Sequence, residues 1–446
     1  MIKKLLLALL LFNCSLTYAQ TIKTDILVIG GDAGGTAAAI QGARSKLKTL
    51  LIEPGAQLCQ AMTSQSMVTI TRGTDLPSGI WGEFRKRTIE FYKKTPGYDT
   101  AHNASLHLEP YTGAAIFKKI ADTVKNLTVK LNTSFSTVKR DGDVWEITIS
   151  QNGKSQLVKA KVIIDATQGA TVAAKLGIAV KSFDFGAANQ QSTLYRTSIA
   201  MGDSFPGQGA DGVVPAGNYP PYPSYCIPLN SIVVKQVDNL LVTAALIPGD
   251  DIQYLAGQLT LGQGAGTAAA FCAFFKTTTK KLDPRTVQGE ILDFKGYLLP
   301  FADVKPNDPY MRAIQQVGAT GLLKGLPHTI SNGVTQLFFM PDSVVNTAEV
   351  KPLIMEIYTR AFLWFNKEKP GNKFTVGNLM SFISEITLTE PKTLQLSLQK
   401  NWKTEYKFTA NFDMTRPVTR REFAVLANKF LNPFARKVDL NGNMVN

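Results

Sequence analysis

Histidine is nearly missing from this chain of 446 residues: there are three, His102, His107 and His328. With so few, no Ser-His-Asp arrangement and no metal-spaced cluster is readable, so no metal site is expected. Cysteine is scarce as well, with four residues. Cys14 falls just after an amino-terminal apolar run. That leaves Cys59, Cys226 and Cys272, an odd set that supplies no disulfide framework and at most one bridge. The fold must therefore rest on its core. After the amino terminus, no stretch reaches the roughly 20 apolar residues of a membrane span, so an integral membrane protein is not expected. Nucleic-acid modules are absent too. Basic clusters such as Arg85-Lys86-Arg87 sit in helical patterns, with Trp81, Phe84, Thr88 and Phe91 on the opposing face.

What is present begins with apolar material: 44% of residues are hydrophobic and 18% charged, enough for a packed globule and too apolar for a disordered chain. The length exceeds one ordinary core, so two or three subdomains are expected. Lys3 and Lys4, the run from Leu5 to Phe12 and the small residue Ala19 make the three-part layout of a signal peptide over residues 1–19. Export to the periplasm or medium is the expectation. Asn13 stands where a lipoprotein reading of Cys14 wants a small residue, and no twin-arginine pair is near the start. The formal charge is +14. That excess suits acidic substrates, an acidic polysaccharide or a membrane surface, or is simply dispersed surface lysine.

One segment carries the functional argument. Asp25-Ile26-Leu27-Val28-Ile29 has the pattern of a buried parallel strand. Gly30-Gly31-Asp32-Ala33-Gly34-Gly35 follows, then a small-residue helix from Thr36 to Arg44, then a second strand, Thr49 to Ile52, ending at Glu53. The first glycine allows a tight strand-to-helix turn, and the last lets helix approach strand. The helix N-terminus offers free N–H groups and a positive dipole to a diphosphate. An acid ending the second strand suits a ribose, and Glu53 lies 23 residues after Gly30, near the spacing of about 20 expected.

With Glu53-Pro54-Gly55 and the later Thr63-Ser64, this stretch resembles the FAD-dependent oxidoreductase family with a glutathione-reductase-type fold. Two more segments share the resemblance. Lys161 to Gly169, with Asp165-Ala166-Thr167, looks like the strand that returns after a β-meander. Asn239 to Ala245 looks like the closing strand, and Leu261-Gly262-Gln263-Gly264-Ala265-Gly266-Thr267 is expected to open a helix aimed at the flavin. The resemblance implies FAD as cofactor, held by Gly30, Gly31, Asp32, Ala33, Gly34, Gly35, Glu53, Pro54, Thr63, Ser64, Asp165, Ala166, Thr167, Gly262, Gln263, Gly264, Gly266 and Thr267.

Three departures stand out. Asp32 replaces a glycine or small residue, Cys59-Gln60 replaces two glycines, and Ala244-Ala245 replaces Gly-Arg. A carboxylate near phosphates has to point away, be protonated or pair with a cation. At an effective dielectric near 20, two like charges about 4 Å apart repel by roughly 4 kcal/mol. Cys59 has two readings, a buried thiol or a covalent flavin tether.

The expected fold is α/β: a Rossmann-like FAD-binding domain (22–179) with a β-meander, an inserted substrate or cap region (180–237), a closing strand and helix (238–275) and a mostly helical C-terminal region (276–446). The meander is read over 127–131, 135–139, 144–149 and 156–158, with Asp141-Gly142 and Asn152-Gly153 as turns. Pro- and Gly-rich 205–228 reads as a loop over the site. Glu109, Tyr195 and Arg196 are the substrate-side candidates, Arg196 for an anionic substrate or reduced flavin. For Glu109 the plainer role is a helix-start acid, and for Arg196 an ion pair. Thr375 to Leu379 resembles Thr419 to Phe423, the latter a capping box. Asp439 to Asn443 lacks the length and final Glu of a calcium loop. The implied function is hydride transfer between a small molecule and flavin, with electrons leaving to an unidentified acceptor. No second glycine-rich motif suggests a built-in nicotinamide site. The rival is a non-catalytic binding protein on a degenerate FAD fold.

Overall fold

The computed structural model describes residues 21–63, 67–71, 73–74, 77–101, 104–180, 193–202, 225–243, 252–329 and 335–445. The expected signal peptide, most of the loop at 205–228 and Ala244-Ala245 lie outside them.

Strand β1 (Ile22–Ile29) leads through a glycine turn into helix α1 (Ala33–Arg44) and back into β2 (Thr49–Ile52). The strands pair in parallel, Ile29 beside Ile52. β1 is apolar throughout its second half because both its faces are covered. Ile26 and Val28 point into the large core shared with the helices, Leu27 and Ile29 into a smaller core under the meander. A short antiparallel pair, β3 (Val68–Ile70) and β4 (Leu106–Leu108), brackets helix α2 (Gly79–Tyr92). Helix α3 (Pro110–Asp122) starts on a first-turn proline and feeds β5 (Leu127–Lys130).

β5 pairs in parallel with β2 at the sheet edge. It therefore belongs to the parallel sheet, which corrects its assignment to the meander. The meander itself is β6 (Thr133–Asp141), β7 (Val144–Gln151) and β8 (Lys154–Asp165), joined antiparallel. Asn152 and Gly153 both have positive φ, 50° and 75°, as the tight hairpin turn demands. β8 does two jobs. Its first half closes the meander, and its second half runs parallel beside β1, so the two segments read separately are one strand.

A short helix, α4 (Thr171–Lys175), follows, then the pair β9 (Ser198–Gly202) and β10 (Tyr225–Pro228). β11 (Leu240–Val242) joins β8 in parallel and completes a sheet ordered β5-β2-β1-β8-β7-β6, with β11 also on β8. The long helix α5 (Leu255–Phe275) lies across α1. Beyond it come α6 (Pro284–Asp293), α7 (Met311–Thr320), the hairpin β12 (Leu326–Thr329) and β13 (Thr335–Phe338), and helices α8 (Thr347–Ile357), α9 (Ala361–Glu368), α10 (Val376–Thr387), α11 (Pro391–Thr404) and α12 (Arg420–Leu426). Among the described residues no helix is long and apolar enough to cross a membrane.

Two expectations about α2 change. Arg85 is buried, donating to the carbonyls of Thr74, Ala101 and Ala104, while Phe91 is 64% exposed. The apolar face is centred on Trp81, Phe84 and Thr88, and the arginine is drawn in by loop carbonyls that need donors.

Candidate cofactor site

The β1–α1 turn is built on close backbone approaches. Gly30 has φ of +104°, and a Cβ there would sit 2.6 Å from the Ala166 carbonyl oxygen. A Cβ on Gly35 would sit 2.0 Å from the Gly30 carbonyl oxygen. Only glycine serves at either place. Gly31 rests on Glu53, and its N–H donates to Glu53 Oε2 at 2.5 Å. The other carboxylate oxygen accepts from the Gly55 N–H at 2.7 Å, across Pro54. The acid assigned to a ribose thus already ties the glycine turn, at Gly31, to the segment after β2, at Gly55.

Asp32 is the N-cap of α1. Its Oδ1 accepts from the Gly35 N–H at 2.7 Å. This satisfies one orphan donor of the helix with a negative charge at the positive end of its dipole. Desolvation pushes the carboxyl up to about 6, the Gly35 bond works against that shift, and the charges of Glu53 and Asp165 add to it. Asp165 is fully buried, and burial also pushes its carboxyl up. It accepts from Thr167 Oγ1 at 2.6 Å and from the Ala173 N–H at 3.0 Å, so it organises the start of α4. Ala166 lies under Gly30 and Gly35.

Two residues without an assigned role from the sequence complete the site. Thr36 Oγ1 donates to the Gly31 carbonyl at 3.0 Å and pins the turn from inside the helix. Thr243, next after β11, is buried, and its hydroxyl has no hydrogen-bond partner among the described residues. A Cβ on Gly34 would lie 3.7 Å from that hydroxyl and 3.7 Å from Asp32 Oδ1, so Thr243 faces the same helix start as Asp32. Its position directly after the closing strand was the signal available in the sequence.

Cys59 is buried with φ of 55°, its N–H bonded to the Gly31 carbonyl and its thiol 3.7 Å from Thr36 Oγ1. Burial drives the thiol well above its ordinary range, and the nearby acids push the same way. A cavity of about 400 Å³ opens beyond Glu53, lined by Ala56, Gln57, Leu58, Tyr111, Val129 and Leu131 among others. It lies at the carboxyl ends of β2 and β5, the edge at which open α/β sheets take ligands.

The residues present fit the diphosphate of FAD in two respects: a helix N-terminus that Gly30 and Gly35 let pack tightly against the end of the sheet, and the Thr243 hydroxyl, without a partner among the described residues. Asp32, with Glu53 and Asp165 behind it, has the wrong sign for that anion.

The remaining candidates lie elsewhere. Gly262, Gln263, Gly264, Gly266 and Thr267 do not open a helix, because α5 has begun at Leu255. They form its middle. A Cβ on Gly262 would meet the Gly34 carbonyl oxygen at 2.0 Å, one on Gly266 the Ala38 carbonyl oxygen at 2.4 Å, and one on Gly264 would meet Ile199 at 3.0 Å. Gln263 bridges Gln41, the Ile80 N–H and the Phe294 carbonyl, and Thr267 bonds back to the Gln263 carbonyl. Thr63 ends the single turn Gln60–Thr63, and Ser64 lies outside the described residues. Arg196 is buried and paired in two bonds with Glu356, at 2.9 and 3.0 Å. Tyr195 is buried against Gly321, and desolvation lifts its phenol to about 12. Glu109 is exposed at the start of α3 and accepts from the Tyr92 hydroxyl. Among the described residues no cluster of acids, histidines and cysteines is arranged to hold a metal ion.

Residues 25–204 match the family described as FAD dependent oxidoreductase. No curated protein matches the chain. Among solved structures, p-nitrophenol 4-monooxygenase of Pseudomonas putida DLL-E4 is 15% identical, with 35% of this chain and 43% of that chain covered at a TM-score of 0.26. Bacillithiol disulfide reductase of Staphylococcus aureus is 19% identical, covering 33% and 38% at 0.24. THI4 of Thermovibrio ammonificans is 12% identical, covering 60% and 96% at 0.32. The chain spans less than half the length of the first two.

Proposed function

Through residues 25–204 the chain belongs to the FAD-dependent oxidoreductase family, and from that premise we propose that it oxidises a small molecule by hydride transfer to FAD and passes the electrons to a separate acceptor. Bound FAD supplies a two-electron acceptor that can later release electrons singly or in pairs. The chain's own residues hold the dinucleotide. Gly30 and Gly35 allow the tight turn that aims the N-terminus of α1, Thr243 offers a hydroxyl, and Glu53 keeps the turn in shape. Glu109, Tyr195 and Arg196 take substrate-side roles in this proposal only where a substrate displaces or meets the groups they now touch, Tyr92, Gly321 and Glu356. Residues 1–19 support action outside the cytoplasm.

The observation that carries the reading is the doubly glycine-dependent turn at the head of a parallel sheet, within the family match. Asp32 favours a second reading, a non-catalytic binding protein on the same fold. An absorption spectrum of the purified protein, repeated after adding FAD and removing the excess, separates the two. Flavin absorption that is bleached anaerobically by a substrate supports the oxidoreductase. A colourless protein that retains no added FAD overturns it.

A further inference from the structure

The diphosphate of FAD and the Asp32 carboxylate want the same place. Oδ1 of Asp32 occupies the N–H of Gly35 at the start of α1, the end at which the helix favours an anion. The charges that act on Asp32 have its own sign: Glu53 from the end of β2 and Asp165 from the end of β8. Cys59, the titratable group in the loop after β2, is held as a neutral thiol. The helix packed across α1 brings no compensating cation, since Leu255–Phe275 contains no charged residue. The one basic residue of α1, Arg44, is at its far end and pairs with Glu83. Pointing away and pairing with a cation, two of the three ways to tolerate a carboxylate here, are therefore not what the described residues do.

We propose that Asp32 makes cofactor capture proton-coupled: FAD enters the protein in which the Asp32 carboxyl is neutral, and where that carboxyl is ionised one proton is taken from solvent as FAD binds. This rests on the FAD reading above. A neutral carboxyl still caps α1 through its carbonyl oxygen, and its hydroxyl becomes a donor in a place that otherwise repels phosphate. No bond to FAD forms; where Asp32 is ionised in the free protein the balance is one proton gained by Asp32 for each FAD bound, and where it is already neutral no proton moves. The sign follows from the raised folded-state value of about 6. Below it the free protein is already protonated and affinity is flat. Above it each pH unit weakens binding about tenfold, because the proton has to be supplied.

The test is a titration of the flavin-stripped full chain with FAD, followed by flavin fluorescence from about pH 5 to about pH 8. Asp32→Asn keeps an acceptor for the Gly35 N–H and removes the charge, and Asp32→Gly serves as a second variant. Thermal unfolding without FAD shows that both fold. Expected is a dissociation constant that climbs about tenfold per pH unit above about 6 in the wild type and stays at the low-pH value throughout in Asp32→Asn. Calorimetry near pH 8 in two buffers of different ionisation heat should register about one proton per FAD. A flat wild-type profile overturns the proposal, as does a slope that persists in Asp32→Asn, since it would then belong to Glu53 or Asp165. If wild type and both variants all fail to bind FAD at every pH, the FAD reading itself falls and takes this inference with it.

Discussion

At the residue scale, Gly35 and Cys59 show what the turn can and cannot tolerate. Gly35 has no room for a methyl group, since its Cβ would be 2.0 Å from the Gly30 carbonyl oxygen. Gly35→Ala is expected to cost about 1–3 kcal/mol, the range for overpacked interiors, and to abolish retention of FAD. Urea unfolding and the flavin content of the purified variant check both. Cys59 sits beneath the turn with its thiol on Thr36, and burial holds it protonated. A thiol in that state is a poor nucleophile, so any flavin should leave with the supernatant after acid precipitation; a coloured pellet would restore the covalent tether. Both residues were noticed in the sequence, but for Asp32 and Cys59 only a list of alternatives could be written. Choosing between them takes knowledge of burial and of neighbouring charge, and neither is a property of local sequence. Thr243 is harder still, because nothing in a threonine after a strand announces an unspent hydroxyl.

At the element scale, the strand-turn-helix-strand of residues 22–53 and the hairpins of the meander were legible, because each rests on short-range pattern and on turn residues with a fixed conformational demand. The helix start after β11 was not. Gly262-Gln263-Gly264-Ala265-Gly266 has the look of a turn, whereas the true start at Leu255 lacks a capping side chain, Tyr254 making no such bond. The glycines belong to a seam. They let α5 touch the backbone of α1 at Gly34 and Ala38, which fixes the helix that carries the cofactor's N–H groups. Gly262→Ala is expected to destabilise by roughly 1–3 kcal/mol and to weaken FAD binding, although residue 262 is inside a helix where alanine is intrinsically preferred. Gly289→Ala is the control. It lies within α6, meets nothing within 4 Å, and should stabilise by about 0.5–1 kcal/mol from helix propensity alone. Chemical unfolding of the two variants side by side measures the difference, and a Gly262→Ala as stable as wild type would dissolve the seam argument.

At the scale of the whole molecule, the C-terminal helices are joined by a repeat of which two copies were visible in sequence and a third was not. Val418-Thr419 to Glu422-Phe423 and Phe374-Thr375 to Asn378-Leu379 each place a buried apolar residue before a capping box and another after it. Val345-Asn346 to Glu349-Val350 keeps the two buried apolar residues in α8, but its cap makes no side-chain bond and the helix contains Pro352, so the pattern is blurred. The three copies close a ring of backbone bonds: Val345 N–H to the Val418 carbonyl at 3.0 Å, Val418 N–H to the Phe374 carbonyl at 2.9 Å, and Phe374 N–H to the Val345 carbonyl at 3.0 Å. Arg420 fastens this ring to the rest of the chain. It is 1% exposed and donates to Glu349 and to the carbonyls of Lys324 and Phe339, while Arg196 makes a second tie through Glu356. Arg420→Ala would leave Glu349 without its partner and two carbonyls without a donor. Removing one side of a buried pair costs about 3–5 kcal/mol, and the partial exposure of Glu349 places the loss at the low end, roughly 3 kcal/mol. Thr419→Ala, next door, loses only a cap and should cost about 1 kcal/mol. If the ring and the parallel sheet fold as one body, Arg420→Ala lowers a single unfolding transition followed alike by tryptophan fluorescence and by flavin release. Two transitions, with flavin release unmoved from wild type, would instead make the ring a separate unit resting on the cofactor domain.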